Sequence, residues 1–278
     1  MKASQKKLSM IFSIALIMSI AMINTAYAIK YGQPDGNGHP YVCYIATWNG
    51  TAPYCYIGTG ALIAQNVVLT AGHITNDFDG TTITEAYVSF APTASWPPPF
   101  WGGTGSDWIE VLVLRTHPDY TIGEGTKGLT DWITHDVGVL ILPDVEGITP
   151  ADLPEAYYIV DDLPMMTDVD LVGYGVQYHQ RGGGFIDWDT RYYAPAQLIA
   201  SEHVLSDEFI RLTANPGRGK GSTCFGDSGS PILLAGTNDI LGVCSWGANG
   251  NCAGVSYEQR IDLPVILDWI IARIDQYS

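Results

Sequence analysis

Short apolar runs rich in Val, Ile, Thr and Tyr alternate with turns bearing Gly and Pro along most of the chain. This is the pattern of half-buried strands rather than of helices. Predicted strands of a first unit lie at 41–47, 56–63, 67–70, 86–90, 109–116 and 137–142, and those of a second at 169–177, 193–205, 209–213, 231–234, 240–246 and 255–261. The segment 94–107 carries Pro97-Pro98-Pro99, which cannot sit in a central strand and reads as a surface loop. An acidic connector, 143–164, separates the two units. Helical spacing of apolar residues appears once, over 263–274, where Pro264 suits a first turn. Two successive all-β halves predict two barrels or sandwiches followed by one helix.

The first 28 residues do not fit this pattern. Lys2, Lys6 and Lys7 precede an apolar run from Leu8 to Ile23, and Ala26-Tyr27-Ala28 supplies the small-x-small sequence read by signal peptidase. The run is shorter than the roughly 20 residues that a bilayer needs. The expectation is therefore a cleaved signal peptide, residues 1–28, and a secreted, extracellular chain starting at Ile29, with no membrane attachment afterwards.

Composition narrows the function. An apolar share of 46% over 278 residues is enough for a large core. A formal charge of −16 argues against nucleic acid, because phosphates need cations to neutralise them. Five cysteines in an exported chain allow two disulfides and one thiol. Neither Cys-x-x-Cys nor His-Glu-x-x-His occurs, so no metal and no cofactor are expected. The turn Asp77-Phe78-Asp79-Gly80 offers two acids, fewer oxygens than a calcium site requires.

Three segments carry candidate chemistry. In Gly226-Asp227-Ser228-Gly229-Ser230-Pro231, glycines flank a serine just before a strand, where backbone N–H groups can converge on a developing oxyanion. Thr70-Ala71-Gly72-His73 puts an imidazole at the end of an apolar strand. His135-Asp136-Val137-Gly138 puts a carboxylate at the start of another. Each alone reads as a turn or strand-end residue; together they supply nucleophile, base and orienting acid. The order His73, Asp136, Ser228 excludes an α/β-hydrolase, whose nucleophile comes first. A subtilisin order built on Asp35 fails for want of β-α units.

With these segments the chain resembles the trypsin/chymotrypsin-like serine protease family. Ser245-Trp246-Gly247, His117-Pro118, Gly173-Tyr174-Gly175 and the Trp269-Ile270 helix add to the likeness. The resemblance implies an all-β fold of two six-stranded antiparallel β-barrels, 29–155 with His73 and Asp136, and 156–278 with Ser228 and a C-terminal α-helix. The active site would lie between the barrels. It implies a serine endopeptidase acting on polypeptides through an acyl-enzyme, with protein protease inhibitors as further partners. The alternative is a catalytically idle protease-fold binding protein.

Residue by residue, the resemblance implies Ser228 as nucleophile, His73 as base and Asp136 as its orienter, with Ser245 behind Asp136. The N–H groups of Gly226 and Ser228 would form the oxyanion hole, and Ser245, Trp246 and Gly247 would pair with substrate backbone. Ser222 falls where the family selects the P1 residue and carries no charge. With Gly247 and Gly254 leaving the walls open, the expectation is large apolar or aromatic P1 side chains. Cys224 and Cys252 match a family disulfide. Cys43 and Cys55 flank the turn signal Trp48-Asn49-Gly50 and are expected to pair with each other, leaving Cys244 as a buried thiol. Finally, an Ile29 terminus freed by signal cleavage would turn inward and pair with Asp227.

Overall fold

The computed structural model describes residues 29–51, 55–76, 83–123, 132–176, 178–179, 185–186, 189–200, 207–215, 218–247 and 250–278. The expected signal segment and the Asp77–Gly80 turn lie outside them.

Strands form where the sequence places its β-branched runs. After a two-residue strand, β1 (Gln33–Pro34), come β2 (Val42–Trp48), β3 (Tyr56–Ala64), β4 (Val67–Thr70) and a single helical turn, α1 (Gly72–Thr75). Then follow β5 (Glu85–Ser89), β6 (Trp108–Glu110), β7 (Val113–Thr116), the ribbon β8 (Thr121–Gly123) and β9 (Trp132–Thr134), and β10 (Gly138–Ile141). These build an antiparallel sheet in the order β6-β5-β2-β3-β4-β10-β7. Its two edges, β6 and β7, are halves of the one strand expected at 109–116. The segment bends at Val111–Leu112, where Val111 N–H donates to Ala86 O at 2.9 Å and Leu112 N–H donates to Ile141 O at 2.8 Å. The sheet thus curls until one bent segment serves both edges.

The second half starts with a helical turn, α2 (Tyr158–Asp162), and continues as β11 (Asp168–Gly173), the pair β12 (Tyr178–His179) and β13 (Phe185–Ile186), and β14 (Tyr192–Ala200). β15 (Phe209–Ala214), β16 (Pro231–Leu234), β17 (Ile240–Gly247), β18 (Gly254–Arg260) and the helix α3 (Pro264–Tyr277) complete it. The order β14-β11-β16-β17-β18-β15 returns to β14, so these six strands close a barrel. Among the described residues, closure leaves β1 as the one added edge, on β14.

The chain ends cross between the halves, which the division at 155/156 does not anticipate. Gln33 and Pro34 pair with Tyr193 and Tyr192 of the second barrel. Helix α3 buries Ile266 and Ile270 in the core shared with the first sheet, and Asn66 Nδ2 donates to Tyr277 O at 2.7 Å.

Arg191 ties the parts together from a fully buried position. Its guanidinium donates to Asp35 Oδ2 at 2.8 Å, to Gly36 O at 2.9 Å and to Val42 O at 2.9 Å. Burial pushes the Asp35 carboxyl up, but bonds from His39 and Arg191 outweigh it and hold the group below its ordinary value. Replacing Arg191 with alanine strands that carboxylate. The expected cost is about 3–5 kcal/mol, read as a lower urea midpoint.

Candidate active site

β4 runs apolar and fully buried from Val67 to Thr70, and the chain then turns into α1, which sets His73 at the strand's end. β10, hydrogen-bonded to β4 with Gly138 opposite Thr70, starts just after Asp136 and brings the carboxylate beside the imidazole. His73 Nδ1 lies 2.8 Å from Asp136 Oδ2, and the His73 backbone N–H donates to Asp136 Oδ1 at 2.8 Å. From the second barrel, Ser245 Oγ donates to Asp136 Oδ2 at 2.6 Å. Gln259 Oε1 accepts the Asp136 N–H at 2.9 Å. A carboxylate only accepts, so the His73 proton belongs on Nδ1 and Nε2 is left with its lone pair.

The serine loop of the second barrel is braced by β3 and β4 of the first sheet. Thr59 N–H donates to Ser228 O at 2.8 Å and Thr59 Oγ1 donates to Gly226 O at 3.1 Å. Gly229 has φ +80°, and a Cβ there would lie 2.0 Å from Thr70 Oγ1, so only glycine permits this close approach. Among the described residues, the N–H groups of Gly226 and Ser228 and the Ser228 hydroxyl have no hydrogen-bond partner. Ser228 and His73 line one cleft of about 710 Å³.

Thr223, Cys224, Ser245, Trp246, Gly247 and Gly250 form one end of that cleft. β16 pairs with β17 only as far as Val243, and β18 covers the other side, so Ser245–Gly247 keeps one free backbone edge. Trp246 stacks on Tyr257 with ring centroids 4.1 Å apart. The Cys224–Cys252 disulfide staples the rim.

The family model described as Trypsin matches residues 32–270. This chain is a trypsin-family serine protease. Two curated relatives from Drosophila melanogaster, Serine protease 1 and Serine protease 2, are each 26% identical over 219 residues, covering 76% of this chain and 73% of the relative. The solved structure of HL collagenase superposes with a TM-score of 0.66 at 19% identity, over 90% of this chain and 99% of its own. That of GrC superposes at 0.63 and 17% identity, over 88% and 98%. Such likenesses show the shared protease fold.

Three expectations for the protease site need correction. Cys43 and Cys55 do not bond; both are free. Register explains this: Thr47 pairs with Tyr56, so the β2–β3 connection spans 49–55, and Cys43 faces Gly60. Five strand positions separate Gly60 from Cys55, about 17 Å, beyond disulfide reach. Of the two glycines expected to leave the pocket walls open, Gly247 lines the cleft, whereas Gly254 does not and pairs with Ala214 at the start of β18. Ser222 is buried behind the wall, its hydroxyl donating to Thr223 O at 3.0 Å, and Thr223 lines the cleft instead. Cys244 is a buried thiol.

From sequence, Ser222 alone is weighed at the pocket base, and a second strand brings a carboxylate behind Thr223 and Ser245, which line the cleft. Glu258 of β18 is fully buried; Thr223 Oγ1 donates to its Oε1 at 3.2 Å and Ser245 N–H to its Oε2 at 3.3 Å. Sequence reading missed it because Glu258-Gln259-Arg260 looks like an exposed strand end. Three polar residues between Tyr257 and Ile261, in a strand that closes a barrel, were the available signal.

Ile29 is buried, and a Cβ on Gly173 would lie 3.3 Å from Ile29 Cδ1 and 2.3 Å from Asp227 Oδ1, so the two side chains share one space. Lys30 forms an antiparallel bridge with Ser222. In the full chain the Ile29 nitrogen belongs to a peptide bond, and among the described residues no cation pairs with Asp227. Its carboxylate instead accepts N–H groups of Gly175 at 2.8 Å and Cys224 at 2.9 Å.

Burial pushes Asp227 from its ordinary 3.8 up to about 7, with the nearby Glu258 charge adding to the rise. Burial likewise pushes Glu258 from 4.5 up to about 7, opposed by its hydrogen bonds. An acid whose folded value is raised holds its proton more tightly when folded. The resulting penalty is absent below about pH 4, grows as pH climbs, and is complete above about pH 7. The thermal midpoint of Glu258→Gln, relative to the unsubstituted protein, is therefore expected to rise between pH 5 and pH 8. A constant difference would contradict this.

Proposed function

We propose that this chain is a secreted serine endopeptidase working through Ser228, His73 and Asp136. Ser228 Oγ attacks the scissile carbonyl while its proton passes to His73 Nε2. The C–N bond then breaks as His73 returns that proton to the leaving amine, giving an acyl-enzyme. Water, deprotonated by His73, attacks the ester and releases the acid and Ser228. Asp136 holds the imidazole in the required tautomer and faces the imidazolium as it forms.

The observation that carries this reading is the His73–Asp136–Ser245 hydrogen-bond chain standing in one cleft with Ser228. The unpartnered N–H groups of Gly226 and Ser228 suit an oxyanion, each such donor being worth about 3 kcal/mol of barrier. Residues Ser245–Gly247, free on one edge, would add the substrate as a further strand. The matched relatives are named serine proteases. A slowly deacylating ester, quenched in acid, should leave an acyl mass on the peptide containing Ser228; an unmodified peptide in every quench would contradict the reading.

Secretion belongs to the same proposal and rests on residues 1–28. Among the described residues, no helix is long and apolar enough to cross a membrane. Signal cleavage would free the Ile29 amine beside Asp227. An ammonium there would restore the ionised carboxylate, as opposite charges do at short range, and lock the serine loop. One extra residue before Ile29 is expected to reduce kcat/KM by at least about 100-fold, the scale of a broken buried ion pair. Turnover unchanged by the extension would refute this activation route.

A further inference from the structure

We propose that Glu258 makes this cleft select a cationic P1 side chain, lysine or arginine. The proposal rests on the endopeptidase reading of the same site and gives it a substrate class.

Placement comes first. Across β17 and β18, Gly247 faces Ser256, Trp246 faces Tyr257 and Cys244 faces Glu258. The carboxylate therefore lies one layer behind the end of the cleft bounded by Thr223, Cys244 and Ser245, all of which line it. Two of those residues hold Glu258 directly through the Thr223 hydroxyl and the Ser245 N–H. Both carboxylate oxygens accept, the arrangement that an ionised group favours.

Charge balance comes second. Other buried carboxylates are paired or hydrogen-bonded. Asp35 meets Arg191 at 2.8 Å and Asp262 meets Arg260 at 2.9 Å, while Asp136 accepts hydrogen bonds from His73 and Ser245. Asp227 has the Ile29 terminus as its proposed partner. Among the described residues Glu258 has no cation at all. A buried carboxylate without a counter-charge is costly unless something supplies one, and the adjoining cleft is the open route to it.

Shape comes third. The stacked Trp246–Tyr257 pair, the Cys224–Cys252 bridge and Gly247 give the cleft end apolar, uncrowded walls. They suit the methylene stem of lysine or arginine, whose charged head would then reach the Thr223–Glu258 floor. A formal charge of −16 favours the approach of basic peptides as well.

The test uses the full chain, expressed with its N-terminal segment so that the cell processes it, and peptides differing only at P1. Lys and Arg are expected to exceed Phe and Leu in kcat/KM by at least about tenfold. Glu258→Gln should lower the Lys and Arg values by about 100-fold more than the Phe and Leu values, a split that mere loosening of the fold would not produce. If Glu258→Gln does not fold, inhibition of the unsubstituted enzyme decides: benzamidine should bind at least about tenfold more tightly than neutral benzamide. Preference for Phe or Leu, equal loss on all substrates, or equal binding of the two inhibitors would overturn the proposal. Cleavage after apolar residues would leave the endopeptidase reading standing. No cleavage after any residue, with Ser228 refusing an acyl group, would overturn both.

Discussion

Replacing Ser228 with alanine is expected to reduce kcat by about a million-fold while leaving the thermal midpoint unchanged. The size follows from the interdependence of the three groups: without the nucleophile, the imidazole and carboxylate have nothing to activate, and only the oxyanion donors and substrate binding continue to act. The unchanged stability follows from the structure. The Ser228 hydroxyl has no hydrogen-bond partner among the described residues, whereas its carbonyl, held by Thr59 N–H at 2.8 Å, survives the substitution. Peptide hydrolysis paired with thermal unfolding checks both halves. A loss below about a hundredfold would contradict the role given to Ser228.

Asp136→Asn is expected to cost about 10⁴-fold in kcat near neutral pH. Three donors converge on this carboxylate: the His73 N–H, His73 Nδ1 and the Ser245 hydroxyl. An asparagine replaces one acceptor with an NH₂ that must face a donor. The imidazole escapes that clash by moving its proton to Nε2, the nitrogen that has to receive the Ser228 proton. Geometry is kept and the base is disabled. Steady-state kinetics give the answer directly, and activity within about tenfold of the unsubstituted enzyme would contradict the tautomer argument.

What the sequence made legible was local chemistry, and what it hid was register and crossing. The three motif segments could be placed because each couples an apolar strand to a turn: Asn66–Thr70 into His73, Asp136 into Val137–Leu142, and Gly226–Gly229 into Pro231. The helix announced itself by the spacing over 263–274, and it runs from Pro264 to Tyr277. The Cys43–Cys55 expectation took Asn49-Gly50 as a tight turn, but the ladder ends at Thr47↔Tyr56 and a longer connection follows. A one-position change in pairing alters every partner along a strand, and no local signal reports it. Likewise, nothing near Gln33 says that it pairs with Tyr193 of the other barrel. The segment 109–116 reads as one strand because the bend at Val111–Leu112 needs no Gly or Pro. Glu258 was hidden for a different reason. A buried charge breaks the apolar rule that makes cores readable, and such exceptions gather where proteins bind.

The central claim is that Ser228 is an activated nucleophile, and a fluorophosphonate probe tests it most directly. Incubation of the processed protein followed by peptide mass mapping should find one phosphonyl group, on Ser228, with labelling lost in His73→Ala and restored to no other serine. A protein left unlabelled at Ser228, or labelled equally well without His73, would contradict the account.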